Sequence, residues 1–125
     1  MLLDTCALLW LGQGGGRLSP KALQQIDDAP IVFVSAISGF EIGVKMAKGK
    51  LSLPCRPAEW LAAVLAHHDL RELPVDLAVS VRSTELPTIH SDPVDRILIA
   101  TAESKGLPVV TADAVFARYG IEVLS

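Results

Sequence analysis

The sequence predicts an α/β fold: a three-layer α/β/α arrangement around a parallel sheet of five strands. Three observations predict it. Short apolar runs such as "IVFV" (31–34) and "LPVV" (107–110) show no polar alternation, as expected of strands covered on both faces. Helical segments separate these runs, the pattern of repeated strand–helix–strand units. Capping residues and prolines mark where the helices begin.

The elements follow in order. "LL" (2–3) is a first short strand and "TCALLWL" a helix after it. "GQGGG" (12–16) breaks the pattern, and Ser19–Pro20 opens a second helix with serine as cap and proline at the first helical position. The strand 31–34 leads to Ser35, which can cap the helix "AISGFEIGVKMA". Pro54 and Pro57 bracket a turn before a helix containing Trp60. "LREL" (70–73) is a third strand, and Asp76 can cap a helix running to about Leu86. "HSDPVDRILIA" (90–100) starts a helix that Gly106 ends. A strand at 107–110, a short helix "AVFARY" and a strand "IEVL" (121–124) complete the chain.

A length of 125 residues suits one domain with one core. Half the residues are hydrophobic and the mean hydropathy is +0.43, which excludes a disordered tail. No apolar run approaches the ~18 residues a membrane helix needs; the longest is "WLAAVLA" (60–66). The apolar N-terminus carries Asp4 and lacks a basic flank, unlike a signal peptide, so a cytoplasmic protein is expected. A net charge of −3 argues against binding nucleic acid through a broad basic face. It leaves room for a nucleic-acid enzyme whose metal ions carry the positive charge. Cys6 and Cys55 form no metal or redox spacing and read as reduced core thiols. His67, His68 and His90 read as surface or loop residues. The glycine run follows a helix rather than a strand and leads into Arg17 and Leu18, so it fits no phosphate-binding fingerprint; it reads as a mobile linker.

The carboxylates carry the functional signal. Asp92 precedes Pro93 and is the natural cap of its helix. Asp95, one turn in, would gain about 0.3–1 kcal/mol from the helix dipole. Yet at about 100° per residue it falls among Leu98, Ile99 and Ala102, on the side expected to be buried. No basic residue of this helix faces the same way, and a carboxylate buried unpaired is costly. A metal ion is one candidate partner. Asp4 ends the first strand and Asp113 follows the strand 107–110; either can serve simply as a helix cap. Glu41 can pair with Lys45 four residues on. Ligands of an open parallel sheet bind beyond the carboxyl ends of its strands, where strand order reverses. If the first strand neighbours strand 107–110 there, the four carboxylates converge as oxygen ligands suited to Mg²⁺ or Mn²⁺.

Nearly the whole chain resembles PIN-domain ribonucleases, specifically VapC-type toxins of bacterial toxin–antitoxin systems. The resemblance is carried by "LLDTCALLW", "VSAISGFEIGVKMAKGKLSLP", "LRELPV", "HSDPVDRILIATAESKGLPVVTAD" and "YGIEVLS". It implies sheet order 3-2-1-4-5 and an acidic quartet at Asp4, Glu41, Asp95 and Asp113 holding one or two Mg²⁺ or Mn²⁺ ions. The implied activity is metal-dependent hydrolysis of RNA phosphodiester bonds. Ser35 and Thr111 match polar positions lining such sites. Arg96, Lys45 and Lys48 are candidate phosphate contacts. The resemblance also implies a small antitoxin seated in a groove that Trp10, Leu11, Trp60 and Leu61 could line, and a homodimer. Cys6 stands where close relatives often have histidine, and Phe40 where they have tryptophan.

Two other readings compete. A phosphotransfer enzyme with Asp4 as nucleophile would want a second aspartate two residues on, where this chain has Cys6. A non-catalytic PIN-like scaffold binding RNA or protein would not require the intact quartet.

Overall fold

A computed structural model describes all residues, 1–125. Strand β1 (Leu2–Leu3) precedes helices α1 (Thr5–Gly12) and α2 (Pro20–Asp28), and β2 (Val32–Ser35) precedes α3 (Ala36–Ala47) and α4 (Pro57–His67). Strand β3 (Leu70–Leu73) precedes α5 (Leu77–Glu85) and α6 (Pro93–Lys105). Strand β4 (Val109–Val110), a 3-10 helix (Ala114–Tyr119) and β5 (Val123–Leu124) follow. All strand pairs are parallel, and the sheet order is β3-β2-β1-β4-β5, as the resemblance implied.

Side-chain alternation along so short a sheet builds a core on each face. Leu3 and Val110, paired across β1 and β4, join Val32 and Val34 against Leu8, Ile42 and Trp60. Their chain neighbours Leu2 and Val109 point the other way, against Leu98, Ile99 and Phe116. Burying each such side chain contributes about 1.5–3 kcal/mol. The helices start at the expected caps: Ser19, Ser35, Asp76 and Asp92 each accept a backbone N–H of the following turn. Gly106 ends α6 in the left-handed conformation, φ 64°.

Several expectations are corrected. The glycine run forms a turn at the end of α1, in which Gly14, Gly15 and Gly16 take φ of 84°, 106° and 48°. The Gly15 N–H donates to the Trp10 carbonyl at 2.9 Å and the Leu18 N–H to the Gly15 carbonyl at 2.9 Å. Cys6 lies on the outward side of α1 and is exposed, while Cys55 is half-buried against the core. The segment 114–119 forms the short helix expected there, with 3-10 geometry. Trp60 is buried in the first core, where Gly12 lets its ring approach α1, and Leu11, buried in the same core, borders a cavity with Pro20 and His67.

Candidate functional site

Strand order reverses between β1 and β4, since β2 lies on one side of β1 and β4 on the other. Asp4 directly follows β1 and Asp113 lies in the loop after β4. Each caps the next helix with one oxygen only: Asp4 Oδ1 accepts the Ala7 N–H at 2.8 Å, and Asp113 Oδ1 accepts the Val115 N–H at 2.9 Å. Capping and a functional role are therefore compatible, because the second oxygen is not needed for the cap. Glu41, on the second turn of α3, and Asp95, on the first turn of α6, complete the group. All four carboxylates line one cavity of about 330 Å³ beyond the carboxyl ends of the strands.

The cavity is strongly acidic. Burial pushes the Asp4 carboxyl up; the Thr111 hydroxyl and the Ala7 N–H hold it back, and Glu41 and Asp113 push it further. Asp95 is driven up to about 7, first by burial and then by Asp92, with His90 opposing and Glu41 and Asp4 adding to the rise. Asp92 caps α6 by accepting the Val94 N–H at 3.0 Å and also lines the cavity. Burial, and then Asp4, pushes the Cys6 thiol up as well. Lys45 is the one basic side chain of the lining and lies 3.8 Å from Glu41. The predicted i, i+4 pair thus exists, and it exists inside the cavity.

His90 is the residue that sequence reasoning missed. It was read as a surface or loop position, but its Nε2 lies 3.0 Å from Asp95 Oδ2 and 3.0 Å from Asp113 Oδ2. These three side chains are close enough to share a metal ion. The available signal was the spacing of "HSDP": a ring two residues before a capping aspartate can fold back over the helix start. Its Nδ1 does so, accepting the Asp92 N–H at 3.2 Å.

The secondary candidates divide. Thr111 is buried beside the site; its hydroxyl opposes the rise of the Asp4 carboxyl and accepts the Asp113 N–H at 3.0 Å. Ser35 is buried but lines a separate cavity of about 190 Å³ with Leu61, so its hydroxyl serves as the cap of α3. Arg96 is not a phosphate contact: its guanidinium donates to the carbonyls of Ser83, Leu86, Pro87 and His90 at 2.9–3.0 Å. α5 and the following loop cover the side of α6 that carries it. Lys48 is exposed at the end of α3, outside the lining. Trp10 borders both the acidic cavity and an adjoining apolar one of about 240 Å³. A larger cavity of about 750 Å³ opens near Val32, His67, His68 and Asp69, where β2 and β3 begin. That is the amino edge of the sheet, away from the switch point.

A parallel sheet ordered 3-2-1-4-5 with a carboxylate cavity at its switch point defines the class: an α/β protein with a group of acidic side chains at one edge that could hold a metal ion. The chain belongs to the PIN domain family, which it matches over residues 1–122. It is 32% identical over 114 residues to Ribonuclease VapC22 of Mycobacterium tuberculosis, covering 90% of this chain and 86% of that protein. Two solved structures share the fold. VapBC2 from Rickettsia felis, bound to a DNA fragment from its promoter, gives a TM-score of 0.72 at 14% identity over 98% of this chain and 96% of the other. The sarcin-ricin loop cleaving toxin VapC20 of Mycobacterium tuberculosis gives 0.71 at 20% identity over 96% and 95%.

Proposed function

We propose that this protein is an endoribonuclease acting as the toxin of a toxin–antitoxin pair. The observation that carries the proposal is the gathering of Asp4, Glu41, Asp95 and Asp113, from four separate parts of the chain, around one cavity. The likeness to a ribonuclease over most of the chain supports RNA as the substrate. A small antitoxin partner is supported by the neighbouring toxin–antitoxin complexes. A homodimer and a cytoplasmic location complete the reading; no helix is long and apolar enough to cross a membrane. The fold is proposed to act as one PIN domain.

The donor set fits a hard divalent cation. Carboxylate oxygens suit Mg²⁺ or Mn²⁺, and crowding in the cavity already penalises the charge on Asp95 and Asp4. One or two such ions, held by Asp4, Glu41, Asp95 and Asp113, would supply Lewis acidity for water attack on the phosphodiester and offset its charge. The chain's own part is positional. The Thr111 hydroxyl holds the loop of Asp113 by accepting its N–H, and the caps on Ala7 and Val115 fix the rotamers of Asp4 and Asp113. Lys45 offers the cavity's one basic side chain to an incoming phosphate. The Trp10 ring gives a flat apolar wall on which an unpaired base can stack.

The test is cleavage of structured RNA with Mg²⁺, with Mn²⁺ and with chelator, beside a small phosphomonoester. RNA cleavage lost with chelator and in Asp95→Asn supports the proposal. Turnover of the monoester with a phosphorylated Asp4, or inertness toward both substrates, contradicts it.

A further inference from the structure

The geometry around His90 points to a role beyond lining the cavity. The loop that carries it is clamped from three sides. The His90 N–H donates to the Tyr119 hydroxyl at 2.7 Å, and the His90 carbonyl accepts from Arg96 Nη1 at 3.0 Å. The Tyr119 hydroxyl in turn donates to the Pro87 carbonyl at 2.8 Å. The imidazole edge packs against Phe116, ring centroids 6.1 Å apart.

The same clamp sets the ring's tautomer. Nδ1 accepts the Asp92 N–H, so it carries no hydrogen, and the ring hydrogen sits on Nε2. That N–H donates to Asp113 Oδ2, and Nε2 also lies 3.0 Å from Asp95 Oδ2. Nitrogen in this tautomer has no lone pair to offer a metal at Nε2. Asp113 has given its other oxygen to the Val115 N–H, so Oδ2 is the atom it turns to the cavity. A cation held by Asp113 would draw on this same oxygen, which the N–H hydrogen already occupies.

We propose that His90 competes with the divalent cation: its Nε2–H occupies Asp113 Oδ2, beside Asp95, and is displaced when the ion enters. This rests on the reading of the cavity as a divalent-ion site. His90 is a positioning residue here rather than a metal ligand. Its hydrogen bond holds the Asp113 carboxylate toward the cavity beside Asp95, at the expense of affinity for an ion there.

The test is Mn²⁺ uptake measured by calorimetry at pH 8 in the wild type and in His90→Phe, His90→Ala and His90→Gln. Phenylalanine keeps a ring against Phe116 and removes the donor; glutamine restores an N–H donor. His90→Phe and His90→Ala are expected to bind Mn²⁺ about tenfold more tightly, the value of losing one charge-assisted hydrogen bond that the ion must displace. Both are expected to show a larger rise in melting temperature on adding Mn²⁺, while His90→Gln behaves as wild type. Equal or weaker binding in both donor-free variants overturns the competition and makes His90 inert or a ligand. No Mn²⁺ uptake by the wild type overturns the metal-site reading itself, a separate outcome.

Discussion

The Asp4 backbone N–H donates to the Val110 carbonyl at 3.1 Å, a last rung between β1 and β4. It sets the Asp4 side chain beside Thr111 and thereby beside the loop of Asp113. Two strands of only two residues each thus fix the relative position of two carboxylates 109 residues apart in the chain.

Asp4 does two jobs that substitution can separate. Asparagine keeps the oxygen that accepts the Ala7 N–H, so Asp4→Asn is expected to fold as wild type and lose RNA cleavage by at least about a hundredfold, the scale for removing one electrostatic stabiliser. Asp4→Ala is expected to lose cleavage and also about 1 kcal/mol of stability with the cap. Chemical denaturation beside a cleavage assay distinguishes them. Unfolding of Asp4→Asn would mean that the residue is mainly structural.

Asp95 makes stability depend on pH. Its folded value, about 7, lies above its ordinary value of 3.8, so between them the folded chain binds more protons than the unfolded one. Stability is then greatest below about pH 4 as far as this group is concerned, and is lost as pH rises through about 7. Asp4 is shifted in the same direction. Melting curves taken in chelator should show the decline, and Asp95→Asn should flatten it and raise the melting temperature at pH 8. A rising or flat wild-type profile over that window would contradict the assignment.

Arg96 and Lys45 should behave oppositely. Arg96→Lys keeps the charge but not the planar fork that reaches four carbonyls, so it is expected to cost about 2–3 kcal/mol, with no change in the salt dependence of RNA binding. Lys45→Ala is expected to leave stability within about 0.5 kcal/mol and to reduce the salt slope of RNA binding by about one. Urea titrations and binding at several salt concentrations decide both.

Gly12 marks a close approach. A Cβ there would lie 2.5 Å from Trp60 Cζ2 and 2.9 Å from Val64 Cγ2, both in the buried core. Gly12→Ala is expected to destabilise by about 1–3 kcal/mol through overpacking, whatever alanine adds in helix propensity. Denaturant midpoints measure it, and an unchanged midpoint would show that the Trp60 ring moves freely.

Much of this was legible in the sequence because it depends on local chemistry. Ser19–Pro20, Asp76 and Asp92–Pro93 announce their helices, and the unalternating apolar runs announce a covered parallel sheet. Asp95 was legible as an anomaly, a carboxylate on the apolar side of its helix. What stayed hidden depends on tertiary placement. Nothing in the chain's periodicity tells a loop residue such as His90 that Asp95 and Asp113 stand on either side of it. Arg96 looked solvated because a helical wheel does not show α5 and its loop folding over that side. The turn at the glycine run stayed hidden because composition gives the freedom of glycine, not the three positive φ angles that shape it.

The central claim is that Asp4, Glu41, Asp95 and Asp113 hold a divalent ion in common. Crystals of the protein soaked in Mn²⁺ and measured near the manganese absorption edge test it most directly. The account predicts an anomalous peak inside the acidic cavity, within bonding distance of oxygens from at least Asp95 and Asp113. No peak there, or manganese bound only elsewhere on the surface, would contradict it.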